Sequence, residues 1–391
     1  MEMNYVLDTF FAIFAMTLII FMVPGFAMLE AGLVRTKNVT SVLTVNVMIY
    51  ALASLAFMLI GYEYAFGSWD HQEGMSKYAF FLFQMAFVGK VVNIMSGGVS
   101  ERSRILPLAL FTVIVGAFLY PTIVNITWGA NFLAGTALDI SGMVDLAGCT
   151  VIHSTGGWAL LAAILIMGSR HGRYKKNGAI QVIPASNIPL VTLGAFLLWI
   201  GWFGFNGGSV GAISSKENAD AVALTIMNTN TAGLAGAVTG WLLTYFRYKK
   251  FDITMILNGA LGGLVAVTAG PDQYSMYQPI LIGAIGGALV VFFVPFFDKL
   301  KMDDPVGALS VHLINGIWGT LAVGIFVSDV SILSQLKGII VVGVIVFPLS
   351  YAIIYVINKF FTLRAEDEEQ LEGIDAIECG MESYPEFKRT I

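Results

Sequence analysis

Apolar residues run along this chain in long blocks with short polar interruptions, from about residue 5 to residue 361. A bilayer core takes about 20 apolar residues per helix. Counted on that basis, the blocks predict eleven spans, near 5–34, 39–66, 78–99, 105–126, 143–168, 186–207, 219–246, 253–270, 277–297, 305–327 and 333–361. Segment 127–142 (TWGANFLAGTALDISG) is too short and glycine-rich to cross and is expected as a re-entrant or surface loop. The last thirty residues turn polar and acidic, so they are expected outside the membrane. The expected class is an all-α polytopic membrane protein.

Composition agrees: 57% of residues are hydrophobic and 12% charged, with a mean hydropathy of +0.78, which excludes an ordinary soluble domain. The net charge of −5 says less than where the charges fall. Loops after spans 1, 3, 5, 7 and 9 carry thirteen lysines and arginines, among them Arg35, Arg102, Arg170 and Lys299. Loops after spans 2, 6 and 10 carry only Lys77, Lys216 and Lys337. By the positive-inside rule the N-terminus lies outside and the C-terminus in the cytoplasm. No basic stretch precedes the first apolar block, so the first helix is expected to be retained. Glycine pairs at four-residue spacing (Gly236 and Gly240, Gly259 and Gly263, Gly283 and Gly287) predict closely packed helices.

One pattern occurs twice. DLAGCTVIHSTGG places Asp145, Gly148, His153 and Gly157; DPVGALSVHLING places Asp304, Gly307, His312 and Gly316 at the same offsets. The chain has four histidines, and two of them occupy this one place. Spans 5 and 10 start from opposite faces, so the copies run antiparallel, and eight residues at about 1.5 Å each bring both histidines toward the midplane. A weaker echo pairs Gly25-Phe26-x-x-Leu29-Glu30 with Gly201-Trp202-x-x-Phe205-Asn206. The organisation expected is a five-helix repeat over 1–168, a second of inverted topology over 169–327, an eleventh helix over 328–361 and a cytoplasmic tail over 362–391, an architecture common among transporters.

An ionisable group inside an apolar span marks a functional site by default. Neutral imidazoles both donate and accept hydrogen bonds, so a pair of them serves a small polar solute without fixed charge. Two satisfied core histidines are the competing reading, weakened by their symmetry. Asp304 is expected mainly to cap its helix, while Asp145 is open to a second role toward a cation. Phe83, Phe87, Trp128, Trp202, Phe203 and Phe205 are expected at the outer mouth, followed by Ser209. Aromatic faces attract cations, although an interfacial aromatic belt explains any one of these residues alone.

FQMAF (83–87), SERSR (100–104), WG (128–129), DLAGCTVIH, WFGFNGGS (202–209), DDPVGALSVH and the tail's EGIDAIECG resemble the ammonium transporter family, Amt/MEP/Rh, over nearly the whole chain. Trp128 and Ser209 point to its Amt branch. The resemblance implies a homotrimer in the plasma membrane with one pore per subunit. It implies ammonium and ammonia as the substrate, a PII-type signalling protein as a partner at the cytoplasmic face, and neither cofactor nor nucleic acid. By motif, Trp128, Phe87, Ser209 and the supporting Asp145 recruit the cation, Phe87 and Phe205 form a phenyl gate, and His153 and His312 line the pore. Lys90 departs from the pattern: it is expected to snorkel, to face a subunit contact, or to put charge beside the path. Cys379 stands where histidine is common. Two other readings are a non-conducting ammonium sensor, hinted at by Lys90, and an intramembrane metalloenzyme. The latter is disfavoured because no HExxH or CxxC is present and the other histidines, His71 and His171, fall in opposite loops.

Overall fold

The structure is a computed structural model that describes residues 2–70 and 74–387; His71 lies outside the described residues. Among the described residues eleven helical segments of 15 residues or more follow in order, before short turns in the tail: α1 Glu2–Leu33, α2 Thr36–Phe66, α3 Lys77–Val99, α4 Ile105–Thr127, α5 Cys149–Met167, α6 Ile188–Gly208, α7 Lys216–Tyr248, α8 Ile253–Val267, α9 Gln278–Lys299, α10 Leu309–Phe326 and α11 Ile332–Phe360. Among the described residues nine of these are long and apolar enough to cross a membrane. The other two, α7 and α8, are helical where spans were expected. One carries more polar residues over its 33-residue length, and the other has 15 residues.

Small residues let the helices approach. α7 packs against α8 and α9, and a methyl added at Gly236 would overlap the Gly259 carbonyl oxygen, as one at Gly283 would overlap that of Ala232. Elsewhere α1 lies against α6 and α3, and α5 against α3 and α11. The segment 128–148, without a regular helix, packs back on the bundle, where Gln335 of α11 bonds both backbone groups of Val144.

The repeated pattern now has a physical explanation. Asp145 accepts hydrogen bonds from the backbone N–H groups of Gly148, Cys149, Thr150 and Val151. Asp304 does the same for Val306, Gly307 and Leu309. Each aspartate thereby satisfies the open amides of a helix start. Gly148 (φ 105°) and Gly307 (φ 80°) adopt the left-handed conformation that glycine reaches without strain. Both helices open as π-helical turns, Cys149–Ser154 and Leu309–Ile314, and each turn carries a histidine. The last glycines make the crossing: a methyl at Gly157 would sit 2.8 Å from the Leu313 Cα, and one at Gly316 2.6 Å from the Cys149 carbonyl oxygen. Each copy packs its final glycine on the other copy's π-turn.

Charges gather at one end, hereafter the basic end. Arg170 holds Asp303 with two bonds of 2.8 Å and reaches Glu101 at 3.2 Å, while Arg35 bonds Glu101 from the other side. Burial opposes the ionisation of Glu101 and Asp303, but these guanidinium groups more than offset it and hold both carboxyls below the usual range. The tail docks at the same end. Arg104 pairs with Glu369 and Glu378, and Asp375 caps α2 through the amides of Thr40 and Ser41. Cys379 lies beside Thr44, at 3.9 Å.

Candidate functional site: an aromatic cavity above a histidine pair

A cavity of about 440 Å³ opens at the end opposite the basic one. Phe83, Gln84, Phe87, Trp128, Asp145 and Ser209 are among its lining residues. Trp128 donates from its indole N–H to the Asp145 backbone oxygen at 2.8 Å, which fixes the ring. The Ser209 hydroxyl donates to the Phe205 carbonyl at 2.8 Å and so turns its oxygen lone pairs elsewhere. The Asp145 carboxylate is taken up by the four amides it caps. Each of its oxygens already accepts two of those bonds, so neither is free to meet a solute.

Below the cavity the aromatic rings close up. Phe83 meets Phe87 edge-on at 4.9 Å between centroids, and Phe87 meets Phe205 at 4.7 Å and 73°. Phe205 then stacks on His153 at 5.5 Å, and Trp202 lies against the same imidazole at 5.2 Å. Trp202 was expected at the mouth. The structure places it deeper, anchored through its N–H to Thr268 at 3.0 Å, and Phe203 does not line the cavity.

His153 and His312 stack at 5.2 Å and share a hydrogen bond between their Nδ1 atoms at 3.1 Å. Such a bond requires one ring to donate and the other to accept, so two fully protonated rings are incompatible with it. The Nε2 of His153 has no hydrogen-bond partner among the described residues and can meet a small polar solute.

On the basic side of His312 lies a small cavity lined by Phe26, Glu30, Asn93, Ile94 and Asn258 together with the imidazole. Val306 and Asn258 also line a wider recess of about 240 Å³ that reaches Arg170, Asp298 and Asp304. The order from one end to the other is aromatic cavity, phenyl pair, histidine pair, carboxylate-lined cavity and charged recess. Glu30 was visible in the sequence as an ionisable residue inside an apolar block, which is the signal that marks such sites, yet it stood only as part of a repeat echo.

Lys90 is 2% exposed within a single chain, so neither snorkelling to the surface nor facing another subunit describes it. It follows Phe83 and Phe87 and precedes Ile94 on one stripe of α3 at helical spacing. No ion pair to it forms among the described residues. Nor do three or more His, Cys, Asp or Glu side chains converge there as a metal site would need.

The profile of the Ammonium Transporter Family matches residues 10–384. An ammonium transporter of Archaeoglobus fulgidus is 32% identical over 97% of this chain and 88% of its own length. One of Methanocaldococcus jannaschii is 33% identical over 97% of both. A solved structure titled "Sensor Amt Protein" superposes with a TM-score of 0.89 at 32% identity, covering 97% of this chain and all of that one.

Proposed function

The chain belongs to the ammonium transporter family, and from that premise we propose that it conducts ammonium-derived ammonia through a histidine-lined pore in each subunit of a plasma-membrane homotrimer. The observation that carries this reading is the continuous series of aromatic cavity, Phe87–Phe205 pair and His153–His312 pair. All eleven helices span in this reading, the repeats have inverted topology, and the basic end faces the cytoplasm. A PII-type regulator would dock at that end.

NH₄⁺ resembles K⁺ in charge and size, so recruitment by charge cannot select between them. The Trp128 and Phe87 faces attract a cation by about 0.5–2 kcal/mol, and the Ser209 oxygen accepts one N–H. The phenyl pair and the apolar walls then exclude a bare ion, whose desolvation is costly. Ammonia, uncharged once its proton is left behind, passes the rings and is handed along by the imidazoles. Potassium has no proton to lose and stops at the gate. The rise of internal pH in proteoliposomes given ammonium, with protein-free liposomes as the baseline and potassium current as the control, tests the proposal: protein-dependent alkalinisation without potassium current supports it, and a potassium current through the protein or alkalinisation no faster than the baseline refutes it.

One observation favours a second reading. A lysine buried on the gate stripe, without a carboxylate partner among the described residues, costs about 2.5–3.5 kcal/mol on insertion scales and, when charged, repels the substrate. An ammonium sensor with little conduction tolerates such a residue. Lys90→Met then raises flux severalfold with the trimer intact, and an unchanged flux removes this reading.

A further inference from the structure

Glu30 has no place in the recruitment, gating or histidine steps, yet it is 1% exposed in the middle of an apolar block. Its Oε2 accepts a hydrogen bond from the Asn46 amide at 3.1 Å and its Oε1 one from the Ser96 hydroxyl at 3.3 Å. Asn93 donates to the Asn46 carbonyl oxygen at 2.8 Å, which orients the Asn46 amide group toward the carboxyl. A methyl added at Gly97 would lie 3.2 Å from Oε1, so the glycine lets the carboxyl press against α3. Two donors fill about half the lone pairs of a carboxylate. No cationic side chain lies within salt-bridge distance among the described residues. A buried carboxyl in that position needs a proton or a cation.

The space beside it has the right size for one. The cavity shared by Glu30, Asn93 and His312 offers about 20 Å³ of room for the centre of a water-sized molecule, and about 10–15 Å³ is enough to hold one. Ammonia is of that size. The groups that can titrate around Glu30 are few. His312 faces the same cavity, and Lys90 lies seven residues along α3 from Gly97, about 10 Å toward the aromatic end. The other lining residues on α3, α6 and α8 are amides or apolar.

We propose that Glu30 is the proton donor that converts arriving ammonia back to ammonium beside His312. The inference rests on the reading that ammonia crosses the histidine pair. The O–H bond of the carboxylic acid breaks as the ammonia lone pair takes the proton, leaving a carboxylate and NH₄⁺ as a contact ion pair. When NH₄⁺ leaves through the Arg170–Asp304 recess, the carboxylate regains a proton from water there. The net change is one cytoplasmic proton consumed per ammonia released as ammonium. Asn46 and Ser96 hold the carboxyl in both states, and Asn93 positions Asn46.

Infrared difference spectroscopy of the purified full-length protein tests this without requiring turnover. Adding ammonium should remove a carboxylic C=O band and create carboxylate bands; potassium should do neither, and the change should be absent from Glu30→Gln. In proteoliposomes Glu30→Gln should lose flux on the order of a hundredfold, the scale of a general acid, with Glu30→Asp recovering part of it. A wild-type protein without an ammonium-dependent carboxyl band overturns the proposal even if Glu30→Gln fails to fold. Wild-type flux in Glu30→Gln overturns it as well. A wild-type protein that shows the band but carries no ammonium flux refutes the transport reading while leaving Glu30 as the ammonium-binding carboxyl.

Discussion

The two copies of the repeated pattern share their residues but not their surroundings. Asp145 is buried and satisfies four amides, whereas Asp304 is half-buried and satisfies three. His153 is enclosed by rings, with Phe205 and Trp202 both within 5.5 Å. Among the described residues His312 meets, beyond His153 itself, one aromatic ring, Phe26, tilted at 6.4 Å, and it opens onto a cavity lined by Glu30. One sequence device therefore stands against aromatic rings on one side and a carboxyl-lined cavity on the other. The two π-turns set the imidazoles face to face, and the residues packed around them make the two sides unlike.

The sharpest way to break this comparison is to remove the two caps in turn. Asp145→Ala leaves up to four amides without partners in a dry interior and should cost roughly 3–5 kcal/mol. Asp304→Ala, at the wetter end, should cost about 1–2 kcal/mol. Thermal unfolding in detergent compares them, and equal losses would contradict the asymmetry. A smaller effect concerns the aromatic side alone. Trp128→Leu should weaken apparent affinity by about 2- to 30-fold, the equivalent of about 0.5–2 kcal/mol of cation–π attraction. It should blur the discrimination of methylammonium from ammonium while maximal flux changes less. Unaltered affinity and selectivity would make these rings an interfacial belt.

Acid should act on the basic end. Asp303 and Glu101 have carboxyls held below their ordinary range. The stability they contribute is therefore complete above the unfolded value of about 4 and is lost as pH falls below it. The melting temperature should stay flat from about pH 8 to 5 and fall below about pH 4. Asp303→Asn should lower the neutral plateau and flatten that acid limb. An acid limb of unchanged steepness in Asp303→Asn would assign the loss to other groups.

Much of this was legible in the sequence. The apolar blocks located the helices, and the twin pattern located both histidines, because a polar group in an apolar span is rare enough to stand out. Depth along a helix was harder to read. Trp202 and Phe205 are three apart and share a face, so both reach His153, while Phe203 points away; the expectation had grouped all three at the mouth. The start of α5 was read as 143, six residues before Cys149, because periodicity does not register that Asp145 spends its side chain capping the turn at Gly148. Lys90 was given two surface roles that its burial rules out, since polar and apolar residues occur all round α3 and its sequence does not show which face meets lipid. Glu30 was passed over for a related reason. Its partners Asn46 and Ser96, and Asn93 that orients Asn46, lie on two other helices, and only the fold brings them together.

The central claim is that ammonia freed of its proton passes the phenyl pair and is handed along by the histidine pair, a route closed to potassium, which stops at the gate. It is tested most directly by the internal alkalinisation of proteoliposomes containing the wild-type protein, His153→Ala or His312→Ala, each given ammonium, with potassium current as the control. The account predicts protein-dependent alkalinisation and no potassium current in the wild type, and loss of that alkalinisation in both variants, with the proteins still folded and trimeric. Wild-type ammonia flux and selectivity in both variants would contradict it.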